Sequence, residues 1–186
     1  MPETIKALKR TARNQTTTLV CGYGNPGRRD DGLGPALVAG LESRPGRKER
    51  TDLRTEARLQ LNIEDSLTVS AFERIIFVDA SKRGKAPFEF KKIRPRIRLA
   101  FSTHALSPQS VLALCRELYD RTPQAFLLAV RGYVWDLEEG LSPKAEANLA
   151  KALNFLARRL RFGQKIDNGR MLKYIGAIII YFLSYS

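Results

Sequence analysis

The stretch Leu19-Val20-Cys21-Gly22-Tyr23-Gly24-Asn25-Pro26-Gly27-Arg28-Arg29-Asp30-Asp31-Gly32-Leu33-Gly34 decides how this chain folds. An apolar, β-branched run that starts among Thr16, Thr17 and Thr18 and closes at Cys21 predicts a buried strand. Gly22, Gly24 and Gly27 then open a turn, and Pro26 stiffens its middle. Beyond the turn, Leu33, Leu37, Val38 and Leu41 share one helical face. The loop therefore joins a strand to a helix and delivers two adjacent carboxylates, Asp30 and Asp31, to the helix start. In α/β folds such loops gather ligands and chemistry. Asp30 is assigned to the helix cap, following the N-cap preference of aspartate. One carboxylate satisfies a cap, so Asp31 is left to face solvent or a ligand.

The three glycines also fit the Gly-x-Gly-x-x-Gly spacing of a dinucleotide site. The carboxylates directly after them argue against that use, because a pyrophosphate needs a positive dipole there and no competing anion.

Outward from this loop, strand and helix alternate. A strand is expected over about Leu53 to Leu59, then a short helix around Ile63, Leu67, Ala71 and Phe72. Arg74 to Asp79 has an Ile-Ile-Phe-Val interior, which demands cover on both faces of the sheet. Asp79 closes that strand on the same sheet edge as the glycine loop. Phe88 to Ile93 alternates like a half-exposed strand, and Pro95 interrupts it before Ile97 to Phe101, which predicts an edge position. Ser107-Pro108 and Ser142-Pro143 are matching helix starts, with serine as cap and proline in the first turn. Val111, Leu112, Cys115 and Leu118 give the first of these helices an inward face, and Leu149, Leu153, Leu156 and Leu160 stripe the second. Phe126 to Val130 is a buried strand between them. The pattern predicts a three-layer α/β/α sandwich with a mainly parallel five-stranded sheet and one antiparallel edge strand.

At 186 residues, 44% of them hydrophobic, the chain suits one core. The expected division is a basic N-terminal arm (1–15), the α/β domain (16–162) and an atypical tail (163–186). The tail's apolar run, Tyr174 to Leu183, is too short to span a membrane as a helix. A net charge of +13, from 32 Lys and Arg against 19 Asp and Glu, raises the question of an anionic partner. The cations are spread over the arm, Arg44 to Arg58, Lys82 to Arg98, and Arg158 to Lys173, so they read as a solvated surface. No nucleic acid and no membrane partner is expected. Cys21 and Cys115 form neither a Cys-x-x-Cys site nor a disulfide framework. The first residues lack the apolar core of a secretory signal, and a cytoplasmic location is expected.

Gly22-Tyr23-Gly24-Asn25-Pro26 followed by Asp30-Asp31-Gly32-Leu33-Gly34 resembles the N-terminal signature of the hydrogenase maturation proteases. These enzymes trim the C-terminal extension from the large subunit of nickel-iron hydrogenases. Three further stretches agree with the family in order: Ile75-Ile76-Phe77-Val78-Asp79-Ala80, Ser102-Thr103-His104-Ala105-Leu106-Ser107 with its histidine, and Glu138-Glu139-Gly140-Leu141-Ser142-Pro143. The resemblance implies an endopeptidase acting on a nickel-iron hydrogenase large-subunit precursor after nickel insertion. It also implies the site. Asp31, Asp79 and His104 match the positions with which the family binds nickel, and they are the candidate catalytic and metal residues. Some members carry Glu at the position of Asp31.

Taken as chemistry alone, two carboxylates and one imidazole from three loops suit a borderline divalent ion with coordination sites left open. His104 is the only histidine of the chain and stands just before a Ser-Pro helix start. With no thiolate in the set, nickel is expected to arrive with the precursor and not to reside in the enzyme. Polarising the scissile carbonyl and activating a water are both open roles for it. There is no His-Glu-x-x-His motif and no serine or cysteine in a recognised nucleophile motif.

Two other readings compete. The Asn25-Pro26-Gly27 turn is similar to that of the peptidyl-tRNA hydrolases, whose substrate would account for the charge. That family continues into a Thr-Arg-His-Asn-like stretch with its catalytic histidine, whereas Arg28-Arg29-Asp30-Asp31 follows here. The third reading is a non-catalytic nickel- or peptide-binding module, since a fold does not fix a function.

Overall fold

The computed structural model describes residues 17–96 and 106–161. The N-terminal arm, Ile97 to Phe101, His104 and the tail from residue 163 lie outside the described residues.

Strand β1 (Thr18–Tyr23) pairs in parallel with β2 (Leu53–Arg58) on one side and with β3 (Arg74–Ser81) on the other. Strand β5 (Gln124–Arg131) continues the parallel sheet beside β3, and β4 (Phe88–Ile93) runs antiparallel to β5 at the edge. The order of the five strands is β2-β1-β3-β5-β4. Helices α1 (Leu33–Glu42) and α4 (Pro143–Arg159) cover one face, and α2 (Asp65–Ser70) and α3 (Pro108–Tyr119) cover the other. The expected mixed sheet with an antiparallel edge strand between helical layers is the observed architecture.

The alternation of side chains explains why the central strands are apolar at every position. Val20, Ile76 and Val78 point toward α1 and α4, while Leu19, Cys21, Ile75 and Phe77 point toward α2 and α3. Ser107 and Ser142 cap α3 and α4 as their sequences predict, accepting from the Ser110 and Ala145 amides at 3.1 and 3.4 Å.

Two local expectations are corrected, and the short helix has a rotation its sequence does not show. Ile63 and Leu67, whose spacing suggested that helix, are 60% and 58% exposed, while Asp65, Ser66 and Val69 face inward. The reason is a polar anchor. Asp65 accepts from the Asn62 amide at 2.7 Å and from Arg58 Nε at 3.2 Å, and this buried carboxylate sets the rotation of so short a helix against its apolar spacing. In α3 the buried face stops at Cys115, whose Sγ donates to the Arg121 carbonyl at 3.3 Å, and Leu118 is exposed. Strand β3 also runs past Asp79 to Ser81, because Asp79 still pairs with Ala129 of β5. No helix of the described residues is long and apolar enough to cross a membrane.

Candidate active site

The glycine loop is shaped by close backbone approach. Gly24 has φ +135°, and a Cβ there would lie 2.0 Å from the Asp31 carbonyl oxygen, so the turn can fold back onto Asp31 only with glycine. Gly34, in the first turn of α1, plays the matching part. Its added Cβ would meet Tyr23 N at 2.6 Å and Val78 O at 2.7 Å, so α1 begins directly against the carboxyl ends of β1 and β3. A short 3-10 turn, Arg29–Gly32, leads into that helix and carries Asp31.

This packing sets Asp31 and Asp79 on one cleft of about 840 Å³ at the carboxyl edge of the sheet, which Tyr23, Arg28, Arg58 and Leu106 also line. Asp31 Oδ2 accepts from the Asn25 amide at 3.1 Å. Asp79 Oδ2 accepts from the Tyr23 hydroxyl at 2.7 Å. A carboxylate offers about four lone-pair sites, so both groups keep acceptor capacity for a ligand in the cleft.

The electrostatics mark Asp79 as the tense member of the pair. Its carboxyl is pushed up from the usual 3.8 to about 6, chiefly by burial, and the Asp31 charge adds to the rise while Tyr23 and the Ala80 amide work against it. Burial, the Asp79 charge and the shared hydrogen bond raise the Tyr23 hydroxyl well above its ordinary value, so it stays a donor. A buried carboxylate held against a second one is relieved by a cation, and this donor chemistry fits a divalent metal. Among the described residues, no three His, Cys, Asp or Glu side chains gather into a metal-sized cluster. His104, the expected imidazole, lies outside them; the described chain resumes at Leu106, which lines the cleft and donates its amide to the Leu61 carbonyl at 2.9 Å.

Asp30 is not the cap it was expected to be. No side chain caps the 3-10 turn or α1. The Asp30 side chain is fully buried and accepts from the Tyr133 amide at 2.6 Å, the Val134 amide at 2.9 Å, and the Ser142 amide and hydroxyl at 2.7 and 2.8 Å. Burial pushes this carboxyl up, but the donors from Ser142, Tyr133 and Val134 outweigh it and hold it below the usual carboxylate range. Beside it, Arg29 donates its amide to Glu138 O at 2.8 Å and pairs through its guanidinium with Glu138 Oε2 at 2.5 Å. The Glu138 to Pro143 stretch is thus the receptor for the glycine loop. Gly132 leaves room for this contact, since a Cβ there would approach Asp30 Cβ to 2.8 Å.

Sequence reasoning also passed over Tyr23 and Arg58. Arg58 is fixed by Glu56, which it contacts through its terminal nitrogen, and by Asp65. Cys21 has its thiol pushed up to about 12 by burial and by Asp65, which keeps it an inert core residue.

No protein-family model matches the chain, and no curated protein matches it. Solved structures do. The [NiFe] hydrogenase maturation protease HycI from Thermococcus kodakarensis KOD1 superposes with a TM-score of 0.62 at 20% identity, covering 83% of this chain and 99% of its own. The hydrogenase maturating endopeptidase HybD from E. coli gives 0.63 at 22% identity over 78% of this chain and 92% of its own. The hydrogenase 2 maturation peptidase from Thaumarchaeota archaeon SCGC_AB-539-E09 gives 0.57 at 18% identity, over 79% and 99%. The chain has the fold of these maturation proteases.

Proposed function

We propose that this chain is an endopeptidase that removes the C-terminal extension of a nickel-iron hydrogenase large-subunit precursor after nickel insertion, reading the metal through Asp31, Asp79 and His104. The reading is carried by one observation: two carboxylates line a single cleft, with Asp79 pushed up to about 6 by burial and by Asp31. The fold it shares with the hydrogenase maturation proteases named above supports it.

In this reading the precursor's nickel is part of the substrate. Asp31 and Asp79 accept it because a divalent cation offsets the repulsion that the buried pair suffers alone. Tyr23 keeps Asp79 oriented by its hydrogen bond, and Asn25 does the same for Asp31. Docking through the metal brings the adjoining peptide into the cleft, where the cation can polarise the scissile carbonyl or the attacking water. A precursor without nickel has nothing to bridge it to the two acids.

The test is cleavage of matched precursors. The nickel-loaded form should be cut once near its C-terminus and the nickel-free form should stay intact, while His104→Ala and Asp31→Asn suppress the cut. Efficient cutting of the nickel-free precursor, or full activity of His104→Ala, would overturn the reading.

A further inference from the structure

We propose that the outer edge of β2 binds the extended backbone of the segment to be cut, as an added strand that pairs with Thr55 and Ala57. The proposal rests on the reading of the chain as an endopeptidase and adds how the peptide is held on its way into the cleft.

Two hydrogen bonds fix which backbone groups of β2 point outward. The Thr18 amide donates to the Asp52 carbonyl at 2.8 Å, and the Gly24 amide donates to the Arg58 carbonyl at 3.0 Å. Both belong to the parallel register of β1 with β2. In a parallel pair, alternate residues turn both their N–H and their C=O to the same neighbour. Asp52, Arg54, Glu56 and Arg58 therefore serve β1, and Thr55 and Ala57 turn the other way. β2 ends the sheet order, so among the described residues nothing pairs with it on that side. The Thr55 N–H and C=O and the Ala57 N–H are left without a hydrogen-bond partner among those residues. The Ala57 carbonyl has the Arg58 guanidinium at 3.3 Å.

Proteins normally guard an open edge with charge. At the other end of the sheet, β4 does so with exposed Lys91 and Lys92. On β2 the cations are already paired: Arg54 meets Glu56 at 2.6 Å, and Arg58 is engaged by Glu56 and Asp65. The Thr55 hydroxyl is tied to Glu42 and Arg47. The edge also leads to the chemistry, because the six consecutive residues from Ala57 to Asn62 line the cleft that holds Asp31 and Asp79. A strand paired at Thr55 and Ala57 runs directly to that cleft. From the edge to Asp79 on β3 it crosses about three strand spacings, roughly 14 Å, which about four extended residues span. Main-chain pairing of this kind holds the peptide extended whatever its side chains.

The experiment has two arms. In the first, amide hydrogen exchange is followed residue by residue on the full-length protein carrying Asp31→Asn, so that substrate stays uncut. It is measured alone, with excess nickel-loaded large-subunit precursor, and with that precursor lacking its C-terminal extension. The Thr55 and Ala57 amides should exchange fast in the free protein and slow at least about tenfold with the intact precursor alone, while the Arg54 and Glu56 amides, bonded to β1, stay slow throughout. Slow exchange at Thr55 and Ala57 in the free protein would show that another segment of the chain or a second copy already covers the edge, and would overturn the proposal. The second arm measures cleavage with Asp31 intact. Thr55→Val and Thr55→Pro both remove the hydroxyl, but proline alone removes the outward N–H, and an edge strand tolerates it there. Thr55→Pro should raise KM at least about fivefold over Thr55→Val with kcat within about twofold, since the lost bond serves binding and not the chemical step. Equal KM for the two variants, or a loss confined to kcat, would also overturn it. Should Thr55→Pro fail to fold by circular dichroism, the exchange arm, in which β2 is unaltered, decides. A protein that neither associates with the precursor nor cuts it loses the endopeptidase reading itself. One that cuts the precursor with Thr55 and Ala57 still unprotected keeps that reading and loses the added strand.

Discussion

Across the boundary between β1 and β3, the Tyr23 hydroxyl donates a 2.7 Å hydrogen bond to Asp79 Oδ2. Parallel pairing of Gly22 with Val78 brings the next residue of each strand side by side, so this contact is a product of sheet register. Tyr23→Phe removes the donor and keeps the ring. Hydrogen bonds to charged groups are worth about 1.5–3 kcal/mol, so cleavage of the nickel-loaded precursor should fall by about tenfold or more in kcat/KM. Circular dichroism should show the fold retained. Undiminished kcat/KM would deny Tyr23 a positioning role.

Asp79 predicts a conflict between stability and function. Its folded pKa of about 6 lies above the ordinary 3.8, so the folded state binds this proton more tightly than the unfolded state. The group's contribution is then fully present below the ordinary value and is lost as pH rises through about 6. Above that, the buried charge destabilises the fold. Asp79→Asn should raise the melting temperature of the metal-free protein by a few degrees at pH 8 and change it little at pH 4, since each kcal/mol moves a domain of this size by about 2–4 °C. The same variant should lose cleavage. Equal shifts at both pH values in thermal melts would contradict the assignment.

Asp30 has the opposite sign. Its folded pKa lies below the usual range, so its contribution is present above the ordinary value and is lost as pH falls through the folded one. Asp30→Asn places an amide nitrogen among donors from Tyr133, Val134 and Ser142. It should cost about 3 kcal/mol in urea unfolding at neutral pH, with the deficit shrinking in acid. A neutral-pH change below the error of the titration would show that these donors find other partners.

Ser142 and Ser107 allow a matched comparison. Ser107 caps α3, while Ser142 caps α4 and also gives its hydroxyl to Asp30 at 2.8 Å. Ser107→Ala should cost about 1 kcal/mol, the usual value of a lost cap. Ser142→Ala should cost about 1–2 kcal/mol more, because it also removes a donor from a buried carboxylate. In an Asp30→Asn background that excess should vanish, which a double-mutant cycle measures directly.

Most of the architecture was legible in the residues, and the reason is local. Ile75 to Val78 is apolar at every position and needs two covered faces; Phe88 to Ile93 alternates and takes the edge; the Ser-Pro pairs begin α3 and α4. These signals depend on side-chain period and capping chemistry within a few residues. The same holds for the glycine loop, since its tight turn has to deliver Asp31 to the start of α1 whatever the rest of the chain does.

The sequence by itself determined the layers, the position of the edge strand and the presence of Asp31 and Asp79 on loop and strand. Tertiary structure alone decided what those acids touch. Asp30 finds Ser142 112 residues later, Tyr23 finds Asp79 56 residues later, and α2 turns Leu67 outward because Asp65 reaches back to Arg58. Periodicity names the face a residue occupies, but a buried carboxylate takes whichever donors the packing brings within about 3 Å, and those come from segments with no local relation to it.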